Sequence, residues 1–304
     1  MLAVLLALGA ALAYAAASVL QQREAQADEG PEGSSDRGGG IRLVLRLARK
    51  PVWLAGLACD GLGYGFQAVA LGVGELLVVQ PVITSGILFA LPASTWWAGR
   101  KLGRKEFAWA CVLALGLTVF LVFAGTDGGK DRASSEAWLV CAAIAVPVLG
   151  ACVAAATRAT GTRRAVLFAF ATGALFGLTA ALTKSSVVLL HAHGFGALGY
   201  WEPYALAILG ALGFVLNQRA FQAGSLTASL PTLTVVEPVV AAFVGITMLD
   251  ESIPTHGLPD WIAVVASVAA MVAATVVLSR SAARHDAIHE HELADTLTRG
   301  ERRD

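Results

Sequence analysis

Long apolar runs separated by short polar clusters fill most of the chain. Runs at 2–22, 51–71, 76–98, 106–125, 137–156, 165–190, 203–222, 226–249 and 261–279 each approach the roughly 20 residues that a helix needs to cross hydrocarbon, so about nine transmembrane helices are expected. Inside a bilayer each backbone N–H and C=O must find a partner in its own segment, which makes these runs helices rather than isolated strands. The pattern predicts an all-α polytopic membrane protein. A first half of four helices covers 1–125 and includes an inner loop at 23–50. A second half of five helices covers 126–280, and a polar tail covers 281–304.

The polar stretches refine this picture. Residues 23–40 combine Pro31 with Gly, Ser and acids, the composition of a flexible loop. In 41–50 (IRLVLRLARK), Arg42, Arg46 and Arg49 fall at helical spacing opposite the aliphatics. That segment either lies along the membrane surface or extends the second helix. Residues 1–20 end in small residues such as Ala15 and Ala17, but no Lys or Arg precedes them. A signal peptide would need such a basic start, so a retained first span is expected.

Charge gives the orientation. With the N-terminus outside, the inner segments hold 14 basic residues before the last span and five from Arg280 onward, 19 of the 22 in the chain. The outer loops hold Lys130 and Arg132, and Lys184 lies inside a span. This positive-inside bias places the protein in the cell membrane with its C-terminus in the cytoplasm. The net charge is zero, so no basic excess points to nucleic acid. The cysteines (Cys59, Cys111, Cys141, Cys152) lie in apolar runs without a CxxC pair, and neither a disulfide framework nor a zinc site is expected. His285, His289 and His291 sit in the polar tail and His191 and His193 in an outer loop; solvated histidines are expected in both.

Offset by 150 residues, the chain matches itself. Leu62, Gly63, Ala70, Gly74, Leu76, Pro81 and Thr84 meet Leu212, Gly213, Ala220, Gly224, Leu226, Pro231 and Thr234, while Tyr64 meets Phe214 and Gln67 meets Asn217. The two copies cross the membrane in opposite senses. Inverted repeats are a transporter signature, because two similar units facing opposite ways can exchange conformations and open one side as they close the other.

The stretches GLGYGFQAVALGVGELLVVQPVITSGILFALPA (61–93) and GFVLNQRAFQAGSLTASLPTLTVVEPVVAAFVGITMLDES (213–252) resemble the drug/metabolite transporter superfamily with its EamA-like fold, and most closely its NIPA-like magnesium transporter branch. The resemblance covers about residues 1–280. It implies an inverted-repeat bundle and a transported solute, with magnesium as one option. That family usually has ten spans in two five-helix halves; here the 137–156 helix has no first-half partner. The family's Gly-Glu pair after a half's fourth helix appears as Asp250-Glu251, and Gly99-Arg100 replaces it in the first half.

Ionisable groups within spans are the first candidates for a transport site, since each is costly unless paired or wetted. Asp60, Lys184 and Glu237 qualify. Helical spacing adds Tyr64 and Gln67 to Asp60, Thr179 to a polar face that also carries Thr172, Phe176 and Thr183, and Thr234 to a face with Thr227, Pro231 and Pro238. Asn217 enters as the repeat partner of Gln67. Pro81, Pro231 and Pro238 are candidate kinks, because proline removes a helix donor. Interhelical hydrogen bonding is the competing role for the threonines, glutamine and tyrosine. Gly61–Gly65 and Gly173–Gly177 read as packing pairs.

No enzyme is expected: HEHEL at 289–293 lacks the HExxH spacing, and neither a GxSxG elbow nor a phosphate-binding loop is present. No cofactor or metal is expected. The expected partners are the lipid bilayer and a small-molecule or cation substrate, with a homodimer left open. The chain therefore reads as a secondary transporter. The alternative is a non-transporting structural or regulatory membrane subunit.

Overall fold

The computed structural model describes residues 1–27, 50–97, 103–123, 129–222, 226–252 and 257–300. These residues form α1 (Leu2–Ala27), α2 (Pro51–Val73), α3 (Leu76–Thr84), α4 (Ile87–Trp97), α5 (Arg104–Phe123), α6 (Ser135–Arg158), α7 (Gly161–His193), α8 (Glu202–Gln222), α9 (Leu226–Met248) and α10 (Leu258–Gly300), with a 3-10 turn at Gly194–Gly199. The described residues contain no strand. Five of the helices are long and apolar enough to cross a membrane: α2, α5, α6, α7 and the Leu258–Leu278 part of α10. Shorter apolar helices occupy Leu2–Ala17, Leu76–Ala90, Glu202–Asn217 and Thr232–Met248. The loop 28–49, including the amphipathic stretch, and the Gly99-Arg100 pair lie outside the described residues.

Local chemistry sets the helix ends. Pro51 stands at the start of α2, where its missing N–H costs nothing. Ser134 caps α6 by accepting from the Ala137 N–H at 3.1 Å. Gly161 and Gly194, both with φ near +55°, bracket α7 at positions that a side chain would strain.

Two elements differ from the sequence expectation. The single span expected over 76–98 is two helices, with a turn at Ser85–Gly86. Pro81 lies within α3, and the interruption comes four residues after it. A Cβ at Gly86 would stand 3.1 Å from the Ala11 carbonyl oxygen, so α1 packs directly against the turn. The polar tail, expected to be mobile, continues α10 as helix to Gly300. Between Arg280 and Thr298 it contains no Gly or Pro to stop propagation.

Packing divides the chain into two similar groups. In the first, α1 packs on α2, α3 and α4; in the second, α7 packs on α8 and α9. Contacts of α5 with α10, of α3 with α9 and of α2 with α7 join them. Within its most apolar stretch α7 is 72% buried and α6 only 6%, so α7 is the central helix and α6 the peripheral one. Glycine makes the α7–α9 approach: a Cβ at Gly177 would fall 2.7 Å from the Glu237 carbonyl oxygen, and one at Gly173 would fall 3.2 Å from that of Leu233. Around Gly61 and Gly65 there is open space instead, so only the second expected packing pair is a close contact.

Candidate functional site

At one end of the bundle, three ionisable side chains from distant segments meet. Lys184 of α7 lies 2.6 Å from Glu75, at the α2–α3 junction, and 2.9 Å from Glu251, just after α9. All three side chains are largely withdrawn from solvent. Glu251 also accepts from the N–H groups of Leu76 and Leu77 at 2.9 and 3.0 Å. It therefore caps α3 from across the fold, neutralising donors at the positive end of that helix. Nearby, the Lys130 N–H donates to the Leu249 carbonyl, while its ammonium pairs with Asp250. Asp250 has φ of 53°, a conformation Asn and Asp tolerate better than most side chains.

Two carboxylates share one ammonium in this cluster, which sets their protonation. Burial works to raise the Glu75 carboxyl, but hydrogen bonds with Glu251 and Lys184 outweigh it and hold the group below the usual glutamate range. Burial, reinforced by the hydrogen bond to Glu75, holds Glu251 above that range despite the lysine. Glu251 is thus the proton-retaining member of the pair.

A second constellation lies along the middle of α1, α2, α7 and α9. Tyr14 donates to Gln67 Oε1 at 2.7 Å, and its ring lies against Gly63, where a Cβ would come within 2.9 Å. Tyr64 lies 3.1 Å from the Thr183 hydroxyl. Thr183 donates to the Thr179 carbonyl, which leaves Tyr64 as the donor in this bond. Tyr14 interacts electrostatically with Glu237, Tyr64 and Asp60, so this tyrosine joins the two acids. Glu237 lies on α9, surrounded by the bundle, and is partly buried.

The candidates from the sequence thus divide between two places. Asp60, Tyr64, Gln67 and Glu237 gather around Tyr14, which the sequence reading did not single out. Its signal was Tyr14–Gln22, the segment that loosely parallels Phe176–Lys184. Lys184, a candidate ionisable group within a span, is engaged by Glu75 and Glu251. Thr179 donates to the Phe176 carbonyl, the local bonding expected of a helix threonine. Asn217 keeps a buried Oδ1 without a partner. Thr234 lies on α9 and is partly buried. Pro231 and Pro238 sit within the continuous helix α9, so the chain interruption in the first group has no counterpart there. The side chains of Thr227, Pro231, His285, His289 and His291 lie outside the described residues. Among the described residues, no group of three or more metal-ligating side chains is assembled.

The same end of the bundle as Lys184 carries further polar and aromatic groups. Arg132 pairs with the buried Glu202 and lies over the Tyr200 ring at 5.0 Å. Trp138 and Trp201 meet edge to face at 5.7 Å. At the opposite end, Ser281 donates to the buried Glu106.

The chain is 34% identical to the uncharacterized protein Cgl0250/cg0304 of Corynebacterium glutamicum over 284 residues, 92% of this chain and 96% of the relative. The chain belongs to the family of that protein. No family model matches the chain, and no solved structure matches it.

Proposed function

We propose that this protein is a secondary transporter of the drug/metabolite transporter type, moving a small solute or cation through the centre of the bundle by alternating access. The observation that carries this reading is the gathering of Tyr14, Asp60, Tyr64, Gln67 and Glu237 from both packing groups around a deep, partly exposed carboxylate. Ionisable groups at membrane depth are costly, and a bundle with no solute to move has no use for two acids there.

Three further features support the reading. Five apolar helices are long enough to cross a membrane, and four shorter apolar helices fall within the other expected runs. The pairing of α1 with α2–α4 parallels that of α7 with α8 and α9, as an inverted repeat requires. The helix interrupted at Ser85–Gly86 lies against α1, and discontinuous helices line the substrate sites of many transporters. In this arrangement the Lys184 cluster belongs to the outer end and closes it, while the positive loops face the cytoplasm. Magnesium is the first solute to test, by resemblance, followed by small metabolites moved with a proton or by exchange. A non-transporting regulatory subunit is the competing reading.

Proteoliposomes containing only this protein decide between them. Magnesium entry is followed with a trapped indicator and proton movement with a trapped pH dye, and a metabolite panel is run as exchange substrates. Saturable flux that Glu237→Gln reduces supports transport. A folded protein that moves none of these favours the subunit.

A further inference from the structure

Outside both polar constellations, a groove of 1120 Å³ opens at the α6–α7 hairpin. Its walls are Ala151, Ala154 and Ala155 from α6 and Val166 from α7; Arg158 and Arg163 stand at its rim. Both arginines are exposed, and neither forms an ion pair among the described residues. Arg164 instead points to the Phe168 ring, 5.8 Å away. Thr160, immediately before α7, makes no side-chain cap, so the first N–H groups of that helix are also available to an anion. The occupant this combination fits is amphiphilic: positive at the mouth, apolar and small-walled beyond.

From this geometry we infer that the groove is a binding site for an anionic phospholipid. The two guanidiniums and the N-terminus of α7 take the phosphodiester, and one acyl chain lies along the alanines of α6. A free phosphate would satisfy the arginines but leave the apolar walls uncovered; a zwitterionic lipid would fill the walls but present a choline ammonium to two arginines. The peripheral setting of α6 strengthens the case. This helix packs mainly on α7 and is 6% buried, so a bound lipid supplies the contact that protein does not. The inference rests on the chain spanning a membrane, but not on what it carries.

The test is native mass spectrometry of the full-length protein, purified in mild detergent and supplied with phosphatidylglycerol or phosphatidylcholine. The wild type should retain phosphatidylglycerol about tenfold or more over phosphatidylcholine, whose choline ammonium would be held beside two guanidiniums. The Arg158→Gln/Arg163→Gln double variant should lose that preference. Ala154→Phe, which keeps both arginines and fills the groove, should lose the adduct as well. The inference is overturned if the double variant keeps the preference, or if Ala154→Phe retains lipid as the wild type does. It is equally overturned if millimolar inorganic phosphate displaces the lipid, which assigns the site to a free anion. A lipid-free dimer joined through α6 gives the groove to a second copy and overturns it too. None of these readouts involves transport, so a failure here leaves the transport reading standing, and the reverse holds.

Discussion

Lys184 and Glu251 are 67 residues apart in sequence, and their charged atoms are 2.9 Å apart in the fold. Between them they tie the central helix α7 to the segment after α9, and through Glu75 and the Leu76–Leu77 amides to the start of α3. Removing one partner of a buried ion pair leaves an uncompensated charge, which typically costs about 3–5 kcal/mol. Lys184→Ala leaves two glutamates facing each other and should lose stability on that scale, read as a lower melting temperature in detergent. Lys184→Ala combined with Glu75→Gln and Glu251→Gln removes the stranded charges and should recover most of the loss. If the triple variant is no more stable than the single one, the cluster is not held together by charge balance.

The pH dependence follows from Glu251. Its carboxyl is held above the usual glutamate range, so the folded protein binds a proton there that the unfolded chain has already released. That contribution is fully present below the ordinary glutamate value and is lost as pH rises through the folded one. Glu75 acts in the opposite sense: held low, it contributes above the ordinary value and loses its contribution as pH falls. Wild-type melting temperature should therefore fall as pH is raised above the ordinary glutamate range. Glu251→Gln, which imitates the protonated form and can still accept from Leu76, should flatten that limb. An unchanged alkaline slope would place the responsible proton elsewhere.

The helices were legible because hydrophobic length is a strong local signal: most apolar runs from 51 onward became helix within a few residues of their expected ends, although 76–98 is broken at Ser85–Gly86 and the last helix runs on to Gly300. The turn at Ser85–Gly86 was not legible, since Pro81 advertises a kink while the actual break lies four residues on, where α1 packs against Gly86. Asp60 and Glu237 stood out as charges in apolar runs. Glu75 did not, because it falls between two helices and reads as a loop acid. Only the fold brings it to Lys184, a distance of 109 residues along the chain. For the same reason the lysine's partners were not legible: sequence gives depth in the membrane, but not which of several acids lies on the facing side.

Glycine contacts give a contrast that needs no knowledge of substrate. A Cβ at Gly177 meets the Glu237 carbonyl oxygen at 2.7 Å, whereas nothing lies within 4 Å of one at Gly65. Gly177→Ala should push α9 from α7 and cost about 1–3 kcal/mol, as overpacking does. Gly65→Ala should be near neutral. Equal melting temperatures for the two variants would mean that α7 and α9 are not in the close contact described.

Topology can be read with single cysteines on a background lacking Cys59, Cys111, Cys141 and Cys152. Ser135→Cys and Gly257→Cys mark the Lys184 end, and Ala282→Cys marks the helix beyond the last apolar stretch. With that end outside, an impermeant thiol reagent should label the first two in intact cells, and the third only after lysis. Labelling of Ala282→Cys in intact cells would invert the orientation drawn from the positive charges.

Under the proposed transport reading, the acids of the central constellation are the candidates for coupling, and they are not equivalent by repeat. The 150-residue offset pairs Asp60 with Gly210 and Glu237 with Ile87, so each half brings its acid without a counterpart. Tyr14 senses both charges, and its hydroxyl is held by Gln67. A carboxylate reached from alternate sides can exchange a proton for a cation, and two unequal acids allow one to couple while the other binds. Asp60→Asn and Glu237→Gln keep shape and remove charge. If either acid couples, its variant should lower flux about tenfold, the size of one charge-assisted hydrogen bond, and should remove the dependence of flux on pH or on the cation. Tyr14→Phe leaves both acids but frees Gln67, so it should weaken apparent affinity more than maximal rate. Wild-type flux and pH dependence in both acid variants, measured in the same proteoliposomes, would make the acids structural and end the coupling idea.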